Sequence, residues 1–246
     1  MPGDVHVMRR MASRPASLAA ATHCPPCEVR PQALFGALAD ATLSHVRLDI
    51  ASVPLAADES LYLRGETGPA AYTVRSGLVR LERVTEAGHR RIVRLAGRGE
   101  LIGQEALLQR PFADEAVACM PTVLCRLPRS AIERVAQADP ALPRALMLRW
   151  QAALEQAESW IADISTGPSR RRMLKLLERL LPHADDQGRV WLPRRQEIGD
   201  MLDITLETAS RLVSQLSREG VLASVDGRRA TVDVARLAQA LVAADT

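Results

Sequence analysis

The residue types and spacings most able to do chemistry lie in two places. In the run from Thr205 to Ser214, Glu207, Ser210, Arg211 and Ser214 recur at i, i+3, i+4 and i+7. On a helix that spacing puts a carboxylate, two hydroxyls and a guanidinium on one face. Such a row suits base edges in the DNA major groove, where Glu accepts from a cytosine amino group and Arg forks onto guanine O6 and N7. Ala209, Leu212, Val213 and Leu216 form an apolar stripe on the opposite face, so a plain amphipathic helix with a solvated side is the competing reading. The second place is the cysteines, Cys24, Cys27, Cys119 and Cys125. In a cytoplasmic protein C-x-x-C points to a metal, a cluster or redox chemistry before a structural disulfide. Cys119 and Cys125 would share one face of a continuous strand yet lie roughly 20 Å apart. A common centre therefore needs a break, which Met120-Pro121 could supply because Pro cannot donate to a ladder. His23 is an alternative fourth ligand.

The elements around the polar row are those that would present it. Thr205 reads as an N-cap and Gly220 as a helix stop. Upstream, residues 194–202 read as a second short helix burying Ile198, Met201 and Leu202, with a tight turn at Asp203-Ile204. That is a helix-turn-helix. Downstream, Val221–Val225 and Ala230–Val234 flank Asp226-Gly227, a hairpin signal, with Arg228 and Arg229 at or just past its tip. The expected unit is a winged helix-turn-helix whose cationic wing meets phosphates. From Pro168 onward 13 cations face 11 carboxylates, so placement rather than total charge carries the signal.

The run Arg195-Gln196-Glu197-Ile198-Gly199, then Thr205-x-Glu207-Thr208-x-Ser210-Arg211 and Gly220, resembles the CRP/FNR superfamily of bacterial transcription regulators. The Glu-x-x-Ser-Arg form resembles the FNR branch; the CRP branch places Arg and Gly where this chain has Leu206 and Ser210. The resemblance spans about Cys24 to Ala240. It implies a homodimer on double-stranded DNA at a TTGAT-N4-ATCAA inverted repeat, with contacts to RNA polymerase. Glu207, Ser210 and Arg211 would read bases, with Thr205, Thr208, Gln196, Arg195 and Arg228 near phosphates.

The 246 residues allow one or two domains with real cores, and 47% hydrophobic with 25% charged residues is a globular composition. A net charge of +3 permits nucleic-acid binding without arguing for it. No apolar run reaches the ~18 residues that span a bilayer, so no membrane partner is expected. Arg14 and Pro15 interrupt the N-terminal stretch, which argues against a secretory signal and for a flexible tail over residues 1–22. The predicted fold is α+β. A sensory antiparallel β-roll covers 23–140, a dimerisation helix 141–167 and the winged helix-turn-helix 168–246.

In the β-roll, Val79 and Leu81 are expected on one strand face and Arg80 and Glu82 on the other, with glycines at regular turns. Arg75-Ser76-Gly77 and Gly99–Gly103 resemble turns of the cyclic-nucleotide-binding β-roll. The family's ribose-binding pair falls on Gly103-Gln104 and its phosphate-binding pair near Asp114-Glu115. Carboxylates where a phosphate needs donors exclude cAMP.

From Leu142 to Thr166, Met147, Trp150, Leu154, Ala157, Ile161 and Ile164 follow 3-4 spacing, a coiled-coil seam. Trp160, Leu146 and Ala153 would pack on the β-roll instead. The FNR branch often carries a carboxylate where this chain has Ala157, which implies a dimer less dependent on a signal. The resemblance also implies a [4Fe–4S] cluster, with Cys24, Cys27 and Cys125 matching ligands. The third N-terminal ligand falls on Ala33, leaving Cys119 to complete the set. A thiol switch is the alternative, as is a regulator that senses a haem-bound gas or a small effector. Cys24-Pro25-Pro26-Cys27 superficially resembles a thioredoxin-type site, but it lacks the βαβ setting that lowers a thiol pKa, so no enzyme is expected.

Overall fold

The computed structural model describes residues 22–23, 29–39, 42–43, 46 and 49–244. The tail read over residues 1–22, apart from Thr22, lies outside the described residues, as do Cys24, Cys27 and the side chain of His23.

Short β-branched and aliphatic runs separated by glycines build two facing antiparallel sheets. One has the order β1 (Thr22–His23), β2 (Ala51–Leu55), β9 (Thr122–Pro128), β4 (Ala70–Ser76), β7 (Leu101–Ile102). The other runs β3 (Ser60–Tyr62), β8 (Glu115–Ala118), β5 (Val79–Val84), β6 (Arg90–Ala96). Val53, Leu55, Val74, Leu81, Ile102, Phe112 and Leu124 fill the space between them. Gly77 joins β4 to β5 at φ +89°, and a Cβ there would lie 2.8 Å from the Thr122 Cα, so a side chain is excluded on two counts. The chain breaks between β8 and β9 at residues 119–121, and the two strands enter different sheets.

Helix α1 (Arg129–Ala138) leads into α2 (Ala141–Ile164), whose 24 residues span roughly 36 Å. The winged module follows: α3 (Ser169–Leu180), β10 (Arg189–Trp191), α4 (Arg195–Leu202), α5 (Leu206–Arg218), β11 (Leu222–Asp226), β12 (Arg229–Val232) and α6 (Val234–Ala244). The three strands pair in the order β10, β12, β11. Asp226 pairs with Arg229, so the wing turn is Gly227-Arg228, one residue later than the sequence signal placed it.

The apolar core of this module includes Met173, Leu177, Ile198, Leu202, Leu212 and Val213, and it continues into Leu78, Ile92, Leu95 and Cys119 of the β-roll. The winged module therefore lies against the outer face of β5 and β6. Arg80 and Glu82, on the strand face opposite Val79 and Leu81, are buried for that reason.

Ile164 departs from the expected seam. It is 0% exposed and belongs to the core shared with α3, whereas Met147, Leu154 and Ile161 are 63%, 59% and 62% exposed. The helix turns its last apolar residue inward because Gly167, at φ +84°, reverses the chain and brings α3 back against α2.

Candidate nucleic-acid interface

Helix α5 begins at Thr205, whose side-chain oxygen accepts from the Thr208 backbone N–H at 3.2 Å, satisfying one of the free donors of the first turn. Ala209, Leu212, Val213 and Leu216 are all buried against the module core. Gly220 ends the helix at φ +72°; a Cβ there would lie 2.1 Å from the Arg236 guanidinium, which caps the helix by donating to the Glu219 carbonyl at 2.9 Å. The turn into α5 is tight. Asp203 sits at φ +54°, and Gly199 lets the Ile204 carbonyl approach to 2.8 Å from where a Cβ would be.

Glu207, Ser210, Arg211 and Ser214 are exposed on the far side of α5. Among the described residues no hydrogen bond or ion pair holds Glu207, Ser210 or Arg211, so all their donors and acceptors are available to a partner. Gln196 is exposed and donates to Asp200 at 3.1 Å. Arg195 is half-buried, and that burial lowers its pKa. Thr205 is exposed and Thr208 half-buried.

Arg228 does not stand free at the wing tip as expected. One terminal nitrogen donates to Asp58 Oδ1 and Oδ2 at 3.1 and 3.0 Å, the other to Glu197 Oε1 and Oε2 at 3.0 and 2.8 Å. The guanidinium carbon lies 5.1 Å from the Trp191 ring centroid. Arg229 is likewise taken, by Asp185. The wing folds its cations back because carboxylates from the β-roll and from α4 meet it.

These contacts belong to a larger array that sequence reading missed. Glu197, only 1% exposed, also accepts from the Arg194 backbone N–H at 2.7 Å and so caps α4. Arg80 bonds Asp58 at 3.1 Å and Glu82 at 3.0 Å, and Arg194 bonds Asp58 at 2.8 Å. Arg90 donates to Asp200 at 2.8 Å. Thus β-roll residues Asp58, Arg80 and Arg90 hold α4 and the wing.

Burial raises the Asp58 pKa, but hydrogen bonds and charges from Arg228, Arg80 and Arg194 outweigh it and hold the carboxyl below its usual 3.8. A carboxylate lowered on folding adds stability that is present above its unfolded pKa and lost as pH falls through its folded one. Urea unfolding of wild type and Asp58→Asn is therefore expected to differ by a constant amount down to about pH 5, the gap closing below about pH 4. A gap that changes between pH 8 and 6 would contradict this.

The two cysteines among the described residues, Cys119 and Cys125, sit apart. Cys119 is 1% exposed in the core between β-roll and winged module, and burial pushes its thiol up to about 12. Cys125 lies on β9 in a different core, with Leu34, Phe35, Leu127 and Ile132. The two thiols are packed into separate cores, so a cluster shared by Cys119 and Cys125 does not fit. Among the described residues no group of three or more His, Cys, Asp or Glu side chains could hold a metal ion. Ala33, where a third N-terminal ligand was sought, lines a cavity against α2.

At the position of the cyclic-nucleotide site lies a cavity of about 280 Å³ lined by Tyr62, Arg83, Arg94, Gly103, Gln104, Glu105 and Asp114, among others. Arg83, which sequence reading did not single out, donates to Asp114 at 2.6 Å. Glu105 accepts from the Ala113 N–H at 3.3 Å, and Glu115 accepts from the Ser60 hydroxyl. Of the two cations lining this cavity, Arg83 is thus engaged by Asp114 and Arg94 by Glu100.

Residues 52–139 match the family model of the cyclic nucleotide-binding domain, and residues 171–240 match that of the Crp-like helix-turn-helix domain. The chain is 27% identical to the nitrogen fixation regulation protein FixK of Bradyrhizobium diazoefficiens, over 90% of this chain and 94% of that protein. It is 24% identical to the fumarate and nitrate reduction regulatory protein of Escherichia coli, over 92% of each. The structure of FixK2 from Bradyrhizobium japonicum superposes with a TM-score of 0.68 at 27% identity, covering 77% of this chain and 96% of that one. No helix among the described residues is long and apolar enough to cross a membrane. With a β-roll, a long connecting helix and a winged helix-turn-helix in that order, the chain belongs to the CRP/FNR family of DNA-binding transcription regulators.

Proposed function

We propose that two copies pair along α2 and insert α5 of each into adjacent major-groove half-sites of an FNR-like inverted repeat, TTGAT-N4-ATCAA. The observation that carries this reading is the unengaged row of Glu207, Ser210 and Arg211 on a capped helix whose opposite face is buried. Glu207 accepts from a cytosine amino group and Arg211 forks onto guanine. Ser210 adds a short hydroxyl between them. Thr205, Thr208, Gln196 and Arg195, near the start of the two helices, face the phosphate backbone. Arg228 drops out of the phosphate set and instead holds the module together.

The pairing surface is Met147, Trp150, Leu154, Ala157 and Ile161, with Leu148 beside them; Ile164 is not part of it. So many large apolar side chains along one helix mark an interaction face. Ala157 puts no charge in the seam, which favours pairing without a signal. Sedimentation of the wild-type protein, stripped of any cofactor, should show a dimer at micromolar concentration. Leu154→Glu with Ile161→Glu should give a folded monomer with at least tenfold weaker DNA binding. A wild-type monomer, or a double variant that stays dimeric, would remove the seam.

The cavity that replaces the cyclic-nucleotide site does not take cAMP, because Glu105 and Asp114 would face its phosphate and its two cations, Arg83 and Arg94, are already charge-balanced by Asp114 and Glu100. The redox response runs through Cys24 and Cys27, whose two thiols form a disulfide while passing two protons and two electrons to molecular oxygen, which leaves as hydrogen peroxide. What supports this reading is the placement of Cys119 and Cys125 in separate cores, which keeps Cys119 from completing a four-cysteine centre with Cys125. Protein purified and reconstituted without oxygen should be colourless and free of iron, with two fewer titratable thiols after mild oxidation. A brown protein with four irons per chain would restore the cluster. The β-roll surfaces outside the pair contact RNA polymerase.

A further inference from the structure

We propose that a second cavity, which adjoins the one at the cyclic-nucleotide position and shares Val93, Arg94 and Ala157 with it, is a binding site for a small aromatic carboxylate bearing a hydrogen-bond donor. It measures about 270 Å³, near the lower edge of ordinary ligand pockets, about 300–1,000 Å³. Three units meet around it: β6 of the β-roll, α2, and the end of α3 with the turn after it. They contribute Arg94, Gln156, Trp160, Arg179, Pro182 and His183.

Three buried polar atoms on these side chains have no partner among the described residues: Arg94 Nε, Arg179 Nε and Gln156 Oε1. Of the eight such atoms found, no other belongs to a residue lining this cavity. A buried polar group without a partner costs about 1–3 kcal/mol, so three around one space point to a missing occupant. Its chemistry follows from theirs. Two N–H donors want an acceptor, and the amide oxygen wants a donor.

Each guanidinium is already balanced once, Arg94 by Glu100 and Arg179 by Asp163, both at 2.9 Å. Their Nε–H groups are directional donors suited to the two oxygens of a carboxylate. The apolar walls set the rest. Arg179 lies 5.8 Å from the Trp160 ring centroid, and Pro182 and Val93 complete a surface for a flat ring. Burial lowers the His183 pKa, so this wall is a neutral imidazole that adds no second anion demand. A ligand here touches the β-roll, the spine helix and the winged module at once, so its binding free energy adds to the contacts that hold them together.

Titration calorimetry of the full-length dimer with 4-hydroxybenzoate, 2-aminobenzoate and indole-3-carboxylate tests this directly. At least one should bind with a dissociation constant below a millimolar and raise the melting temperature. The alcohol counterpart of the binder, lacking the carboxylate, should bind at least tenfold more weakly. Gln156→Leu and Arg179→Met should each weaken binding tenfold or more. Gln156→Leu should do so without lowering the melting temperature of free protein, because it removes an unpaired acceptor. No heat from any of the three acids, or equal affinity in wild type and both variants, overturns the site. The calorimetry involves no DNA, so its failure leaves the DNA reading above intact, and a failed DNA reading leaves it testable.

Discussion

Replacing Arg228 with methionine is expected to lower the unfolding free energy by about 3 kcal/mol, among the largest losses any single surface-connected residue of this chain would show. The substitution keeps an unbranched stem of similar length but removes the guanidinium, with its four hydrogen bonds and its place over the Trp191 ring. What it leaves behind is Glu197, 1% exposed and stripped of two hydrogen bonds, beside Asp58, which loses two more. Breaking a buried pair by removing one partner costs about 3–5 kcal/mol, because an uncompensated charge stays inside. Arg80 at 3.7 Å and the Arg194 backbone N–H still face Glu197 and hold the loss near the lower end. Urea denaturation at neutral pH reads this out. A wing-tip phosphate contact predicts the opposite pattern: unchanged stability and a salt dependence of DNA binding flattened by about one unit. Stability within 0.5 kcal/mol of wild type, a threshold typical of ordinary surface changes, would mean the array is not formed in solution.

Arg211→Ala and Glu207→Ala are each expected to reduce discrimination at one base pair of the half-site by about 1–3 kcal/mol, roughly 5- to 150-fold. Both side chains are exposed and engaged by nothing among the described residues, so the variants should fold normally and melt with wild type. Competition gel shifts against duplexes substituted one position at a time locate the lost preference. A uniform weakening across all duplexes would make these residues phosphate contacts, and full retained preference would remove them as base readers.

Much of what presents that row was legible from local periodicity. The apolar stripe Ala209, Leu212, Val213, Leu216, the cap at Thr205 and the stop at Gly220 are properties of residues within one or two turns of each other, where spacing decides. The exposed run along α2 could be read for the same reason up to Ile161. Ile164 escaped because its burial depends on how the chain reverses at Gly167. Arg228 was misread as a free cation since its partner Asp58 lies 170 positions away in sequence. No windowed pattern links a wing tip to a turn of the β-roll. Alternation put Arg80 and Glu82 on the face opposite Val79 and Leu81, but carried no sign that the winged module covers that face and buries them. Cys119 and Cys125 carried no signal for the two separate cores that hold them. One hint was available: Arg194, Glu197 and Asp200 at three-residue spacing on α4 are charges on a face that also carries Ile198 and Met201. Such a row requires partners brought from elsewhere.

Binding stoichiometry on a phased operator tests the central claim, paired recognition of an inverted repeat, most directly. Fluorescence anisotropy with a TTGAT-N4-ATCAA duplex should give two protomers per duplex. Inserting about 5 base pairs between the half-sites, half a turn of the helix, should weaken binding at least a hundredfold by rotating one half-site away. One protomer per duplex, or equal affinity for the phased and dephased operators, would contradict it.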